Sequence, residues 1–319
     1  MNITVDRIGH LTDAMVEQTE SKNEFTTVRV THAGLGFTDA LAFRGNYPLA
    51  PAMPFALGYE FAGVDEWGQR VAGLLPKLGA TCDTIQVDRD RLVPIPDGLP
   101  SEVAAAIPLN YLTASAMIKV HAGLQSGDSL LVHGASGGVG TATLQLAERD
   151  GIVAFGTASP SKHDIVKNAG GTPINYQAGD WLETLRDLRP EGVDVAMDSF
   201  GGRMQRKSWR ALSSGGILVS FGFYPSAWAS IWSSVVGMGF LLSRRLVPTR
   251  RRAILCSLPA LVAQDPEWYR ITLTELLAAA THGKIDPVID WVKPAVNASL
   301  ALDRIEHRAT RGKVILAMI

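Results

Sequence analysis

His133-Gly134-Ala135-Ser136-Gly137-Gly138-Val139-Gly140 is the stretch on which the reading of this chain turns. It follows the apolar run Ser129 to Val132 directly and opens a helix-like segment near Gly138, the strand-to-helix setting in which a glycine-rich pattern carries weight. Small residues let the backbone pass close to a pyrophosphate, and the helix N-terminus presents unpaired N–H groups and a partial positive charge to it. The stretch therefore predicts a dinucleotide-binding turn. His133 beside it reads as a packed strand-end residue.

Working outward, strand-like and helix-like runs alternate. Leu130-Leu131-Val132 is followed by Thr141 to Glu148, Ile152 to Phe155, Lys162 to Asn168, Val193 to Met197, the amphipathic Met204 to Leu212, and Ile217 to Phe221. This grammar predicts successive βαβ units, hence an α/β fold with a doubly wound parallel sheet. Upstream the pattern differs. Thr26 to Val30, Thr84 to Val87 and Leu92 to Ile95 are short β-branched runs separated by turn residues, so this part reads as mainly β. Ser101 is placed as the N-cap of an alanine-rich helix, and Leu112 to Val120 reads as another helix. Glu267 to Ala280 predicts a late helix, and Gly312 to Leu316 a closing strand.

In a dinucleotide-binding domain an acidic residue about 20 positions after the glycines, at the end of the second strand, holds the ribose 2'-hydroxyl of NAD. No acid stands there. Phe155-Gly156-Thr157-Ala158-Ser159-Pro160-Ser161-Lys162 supplies hydroxyls and an ammonium instead, a set that suits a 2'-phosphate. NADPH is the cofactor expected.

A formal net charge of -1 over 319 residues leaves no global field for polyanions, so nucleic acid is not the main partner. Two cysteines far apart, and an N-terminus without a basic-then-apolar signal pattern, point to a cytoplasmic setting. Ala227 to Leu242 is largely apolar and is followed by Arg244, Arg245 and Arg250 to Arg252. Its uninterrupted core, Val235 to Leu242, falls short of the ~20 residues that span a bilayer. A buried or pocket-lining helix is expected there, with surface membrane contact as the competing reading.

At these residues the chain resembles the medium-chain dehydrogenase/reductase superfamily, in its zinc-free quinone oxidoreductase (zeta-crystallin-like) branch, and within it the vesicle amine transport protein homologues. The resemblance covers most of the chain. It rests on Gly34-Leu35 with Asp39, Gly45 and Tyr47, then Gly58-Tyr59-Glu60-Phe61-Ala62-Gly63, Asn110 to Ala114, the glycine turn, Asp198-Ser199-Phe200-Gly201-Gly202 and Gly312-Lys313. It implies a GroES-like catalytic domain from residues 1–112 and 259–319 and a Rossmann NADPH-binding domain from 113–258, with the active site in the cleft between them. A homodimer is also implied.

The resemblance places Gly137, Gly138 and Val139 on the pyrophosphate, with Ser136 among the cofactor-binding residues, and Ser159, Lys162 and Tyr176 around the 2'-phosphate. Thr113, Phe200, Phe221, Gly222 and Lys313 fall nearer the ribose and nicotinamide. Tyr47 and Asp39 are the catalytic candidates, Tyr47 as donor to a substrate carbonyl and Asp39 either transferring a proton or orienting neighbours. Zinc-dependent relatives need a cysteine, a histidine and a further ligand. Here the histidine position is Tyr59 and the cysteines are too few, so no metal is expected. The implied reaction is hydride transfer to a quinone or an α,β-unsaturated carbonyl, with a bulky hydrophobic small molecule as acceptor.

Two departures bear on the substrate. Gly36 replaces a common asparagine, and the connection around residues 64–71 is about ten residues shorter than the familiar pattern, comparable to a whole hairpin loop. They keep two alternatives open: an NADPH-binding, membrane-associated protein with little turnover, and a non-reductive cyclase or isomerase on the same scaffold.

Overall fold

The computed structural model describes residues 1–15, 25–222, 231–246 and 249–318. Contacts divide the chain into two compact units, Thr113–Leu258 and Met1–Leu112 with Pro259–Ile319.

In the first of these, a six-stranded sheet runs in the order Thr172–Asn175, Val153–Ala158, Ser129–His133, Val193–Asp198, Leu212–Ser220, Arg252–Leu255. Every neighbouring pair is parallel. In chain order this is 3-2-1-4-5-6, the doubly wound arrangement whose order reverses beside the first strand. Ser129–His133 is buried along its whole length, which is why it reads as a continuous apolar run rather than an alternation. Helices Gly138–Arg149, His163–Asn168, Trp181–Leu188 and Gly202–Arg210 connect the strands. The core beneath the sheet is built from Leu131, Phe155, Ile174, Trp181, Leu185, Ala196 and Leu218.

The other unit carries a seven-stranded sheet in which Phe25–Leu35 is the hub, pairing antiparallel with Glu60–Asp65, Thr84–Asp88 and Lys313–Ala317. One parallel pair, Ile289–Pro294 with Lys313–Ala317, is joined across helix Ala298–Glu306. A three-stranded sheet from Thr4–Arg7, His10–Thr12 and Phe55–Ala56 completes it. The shortened connection is a closed hairpin turn between Glu60–Asp65 and Arg70–Leu74, where Asp65 Oδ1 accepts from the backbone N–H of Trp67 at 3.0 Å and Gln69 at 2.8 Å.

Several local expectations are corrected. Ser101 is the first residue of helix Ser101–Ala105 rather than its cap. The extended Pro100 occupies the cap position, and the Ser101 hydroxyl accepts from the Arg70 guanidinium at 3.2 Å. The helix placed at Leu112 to Val120 is Pro108–Ser115 continuing into a π-helical turn, Ala116–Ala122. Strand Arg252–Leu255 is an addition, because its basic start masks the short apolar run. The apolar stretch forms helix Ile231–Arg245, while the preceding Ala227 to Ser230 lie outside the described residues. Among its described side chains, Leu241 is buried and Phe240 packs edge-on against Trp209, while Val235, Val236 and Leu242 are about half exposed. A fully buried helix is thus not what forms. No helix among the described residues is long and apolar enough to cross a membrane.

Candidate functional site

The glycine turn sits at the carboxyl end of Ser129–His133. Gly134 adopts φ +65°, and the N–H groups of Ala135 and Gly137 bond to Thr157 O at 3.1 Å and Gly134 O at 2.9 Å. Gly137 is the N-cap of Gly138–Arg149 and offers no side-chain cap, so the donors of the first turn are not consumed by a capping oxygen. Two further glycines make the turn tight. A Cβ at Gly140 would lie 2.5 Å from Gly134 O, and one at Gly156 would lie 2.5 Å from Ala135 Cβ. Neither fits. This backbone cradle suits the pyrophosphate of a dinucleotide, with Ser136, Gly137, Gly138 and Val139 at its lip.

At the neighbouring strand ends, the register pairs Ala158 with Asn175, so Ser159 and Tyr176 emerge side by side. Ser159 begins a short 3-10 turn, Pro160–Lys162, without using its hydroxyl as a cap. Tyr176 is 40% exposed. Asn175, at that end of the third strand, is likewise uncharged, and Lys162 is partly buried. The next strand end is shaped by Asp198, which accepts from the N–H groups of Phe200 and Gly201 at 2.8 Å each and so folds the loop that carries Phe200. Phe221 donates its N–H to Asp198 O at 3.0 Å, and Gly222 follows it. These candidates share the carboxyl edge of one sheet. Thr113 is buried at the end of helix Pro108–Ser115.

His133 is a packed strand-end residue, and it is part of a buried polar chain. Its Nδ1 lies 2.9 Å from Thr157 Oγ1 and its Nε2 lies 2.9 Å from Ser208 Oγ, while the Ser208 hydroxyl donates to Asp198 Oδ2 at 2.6 Å. Because the serine proton goes to the carboxylate, Nε2 carries the ring proton and Nδ1 accepts from Thr157. Burial lowers the His133 pKa, reinforced by Lys207 and opposed by Asp198. The histidine ring stacks edge-on against Trp181 and Phe200. Sequence reading finds the histidine but not the chain, since Ser208 is 75 residues away.

In the β-rich unit, Asp39 is 1% exposed and lies in the first turn of helix Phe37–Phe43. Its oxygens accept from Gly36 N at 2.8 Å and Gly58 N at 2.6 Å. Burial raises its pKa to about 6 against the pull of those two N–H groups and Lys313. With both oxygens engaged by backbone N–H groups, Asp39 ties the turn at Gly36 to that at Gly58. Tyr47 is part-exposed, and its hydroxyl lies 2.9 Å from that of the buried Tyr59, with the rings at 87°. Tyr59 joins the candidates here, and its signal in the sequence is Gly58-Tyr59-Glu60, with a phenol where zinc enzymes hold an imidazole. Lys313 pairs with Glu60 in the interior, and Glu60 Oε2 accepts from Leu109 N at 2.7 Å. Among the described residues no three His, Cys, Asp or Glu side chains are grouped to hold a metal ion. Cys82 and Cys256, both buried, belong to different units.

A doubly wound nucleotide unit with this turn, and a β-rich unit in the same chain, define a dehydrogenase/reductase subunit of the medium-chain type. The chain belongs to the medium-chain dehydrogenase/reductase superfamily, in its quinone oxidoreductase branch. A family model described as zinc-binding dehydrogenase matches residues 171–316. The mouse (Mus musculus) synaptic vesicle membrane protein VAT-1 homolog is 32% identical over 313 residues, covering 91% of this chain and 75% of the relative. Among solved structures, the Escherichia coli quinone oxidoreductase complexed with NADPH has a TM-score of 0.87 at 25% identity, over 99% of both chains. The Pseudomonas syringae pv. Tomato DC3000 quinone oxidoreductase has a TM-score of 0.85 at 26% identity, also over 99% of both.

Proposed function

We propose that this oxidoreductase is zinc-independent and uses NADPH to reduce a quinone or an α,β-unsaturated carbonyl on a hydrophobic small molecule. The observation that carries the reading is the pairing of the tight glycine cradle with the strand end that follows it. There Ser159, Lys162 and Tyr176 take the place of the carboxylate that would repel a 2'-phosphate.

NADPH, when bound, supplies a hydride to an electron-poor carbon. The protein's part is positional and electrostatic. First-turn N–H groups of Gly138–Arg149 hold the pyrophosphate, and the Asp198-shaped loop fixes Phe200 at the same sheet edge. The Tyr47–Tyr59 hydroxyl pair provides a proton donor for the acceptor oxygen: with Tyr59 donating to Tyr47, charge developing on Tyr47 is stabilised, which offsets the weak acidity of a phenol of pKa ~10. No zinc ion is needed to polarise an acceptor that already carries a conjugated carbonyl.

The test is acceptor-dependent oxidation of NADPH by the purified chain against a panel of quinones and enones. Turnover with one class and not with simple alcohols or aldehydes is expected. Tight cofactor binding with no acceptor-dependent oxidation across the panel rejects the reductase reading.

A further inference from the structure

The outer face of the nucleotide unit carries a concentration of arginine that the dinucleotide site does not use. Helix Gly202–Arg210 presents Arg203, Arg206, Lys207 and Arg210, and helix Trp181–Leu188 with its C-cap adds Arg186 and Arg189. The two helices are neighbours, because Lys207 lies against Asp180 and over the Trp181 ring. Lys207 is therefore neutralised, and Arg189 is paired with Glu191 at 2.8 Å. Arg186, Arg203, Arg206 and Arg210 are exposed, and their side chains form no ion pair or hydrogen bond with any described residue. In a chain of net charge -1, four guanidinium groups without an ion-pair partner among the described residues are a local exception, and the exposed Glu183 and Asp187 of the same helix pair bond to none of them.

These groups line two adjoining cavities. One, of about 170 Å³, is walled by Arg186, Arg189, Arg210 and Arg251, with Glu191 as its acid. Its wall is fixed at Arg251, whose guanidinium donates to the carbonyls of Trp209, Leu212 and Ser213. The other, of about 350 Å³, is walled by Arg203, Arg206, Lys207 and Arg210, with Asp180 as its acid. Arg210 belongs to both. The first cavity opens beside Gly192 and Leu212, where their strands begin, at the opposite edge of the parallel sheet from the glycine turn. That cavity is a separate place from the dinucleotide site, and the second runs from it along Gly202–Arg210 toward Arg203 in the helix's first turn.

We propose that this groove binds a small molecule carrying two phosphoryl groups, one in each cavity, with Arg210 bridging them. The preponderance of arginine over lysine favours planar, bidentate oxyanion recognition over a diffuse field. Because Arg210 lines both cavities, a ligand with two linked phosphoryl groups can engage this guanidinium from both sides, which a single orthophosphate cannot do. Cavities of this size hold a compact ligand, and their acids are already spent on Lys207 and Arg189.

The test is calorimetric titration of the full chain, presaturated with NADPH so that the glycine turn is occupied, with inorganic pyrophosphate and with orthophosphate near 0.15 M salt. Pyrophosphate is expected to bind at least about tenfold more tightly than orthophosphate, and Arg210→Ser to weaken it about tenfold or more, the loss of charge-assisted hydrogen bonds. Arg206→Ser, at the far end of the groove, gives a second variant should the first fold poorly. NADPH affinity should be unchanged in both. Pyrophosphate that binds no better than orthophosphate, or that keeps full affinity in the folded variants, overturns the proposal. If NADPH itself does not bind, the same titration without it still assigns the site, because only binding in the groove depends on these arginines.

Discussion

The ammonium of Lys313 meets the carboxylate of Glu60 inside the β-rich unit, with side-chain exposures of 3% and 0%. Gly34 makes the pair sterically feasible: a Cβ there would lie 2.7 Å from both Glu60 Cγ and Lys313 Cε. Removing one partner leaves a buried charge uncompensated, at about 3–5 kcal/mol, whereas replacing both by groups of similar volume costs far less. Lys313→Met and Glu60→Gln singly should therefore lower denaturation midpoints sharply, and the double variant should recover most of the loss. Additive losses in the double variant would show that the two groups are not coupled.

The same region explains what takes the place of a side chain at Gly36. A Cβ at that position would lie 3.7 Å from Lys313 Nζ, so the lysine ammonium borders the space. Sequence reading reached each residue of this cluster separately, because Gly34, Gly36, Asp39, Tyr59, Glu60 and Lys313 all fall in short motifs. It could not assemble them, since Lys313 arrives on a strand paired with Phe25–Leu35 from the far end of the chain. The nucleotide unit was more legible. Its strands alternate with helices at short range and the inner ones are buried on both faces, so apolar runs and glycines report the middle of the sheet directly. In the β-rich unit half-buried strands alternate weakly, and the partners of Phe25–Leu35 are set by long-range register that no local pattern records.

Asp39 gives a pH prediction with a definite sign. Its folded pKa, about 6, stands above the unfolded 3.8, so the folded state holds the proton more tightly. The protonated carboxyl's contribution is complete below pH 3.8 and is lost as pH rises through 6, a gap of about two pH units and so roughly 3 kcal/mol. The stability difference between wild type and Asp39→Asn, followed by chemical denaturation, should shift against the wild type between about pH 4 and 6.5 and then level off. A flat difference across that window would mean that the carboxyl is not desolvated as the fold places it.

The hydroxyl pair makes Tyr47 separable from its support. If Tyr47 donates the proton, Tyr47→Phe should lower kcat about 100-fold, at the lower end of the range for general acid catalysis, with little change in the KM for NADPH. Tyr59→Phe keeps the Tyr47 hydroxyl but removes the group that holds it at 2.9 Å, so a smaller loss of kcat is expected. Equal turnover in wild type and Tyr47→Phe would move the proton donor elsewhere.

Cofactor choice rests on Lys162. Its loss should weaken NADPH about 10- to 100-fold, the worth of one charge-assisted contact to a phosphate, and leave NADH nearly unaffected. Fluorescence titration of Lys162→Ala with both cofactors measures this directly. Parallel losses would show that the residue shapes the strand end rather than reading the phosphate.

The buried chain Thr157–His133–Ser208–Asp198 links the strand that precedes the glycine turn to the loop that carries Phe200. Ser208→Ala leaves the His133 Nε2–H and Asp198 Oδ2 without their shared partner, a cost of about 1–3 kcal/mol. Asp198 would still cap Phe200 and Gly201 through Oδ1, so the loop should loosen rather than unfold, raising the KM for NADPH more than it lowers kcat. Acid should act on the same chain. Burial depresses the His133 pKa below its usual 6.5, so the neutral ring's contribution is present above pH 6.5 and lost as pH falls through the depressed value. The wild type should accordingly lose stability and cofactor affinity together on acidification, with histidine titration followed by NMR. Thr157→Val, which removes only the hydroxyl facing Nδ1, leaves the Ser208 and Asp198 contacts in place, so the loop and the KM for NADPH should stay near wild type. A Thr157→Val variant that loses cofactor as badly as Ser208→Ala would show that the loop is not held through Ser208.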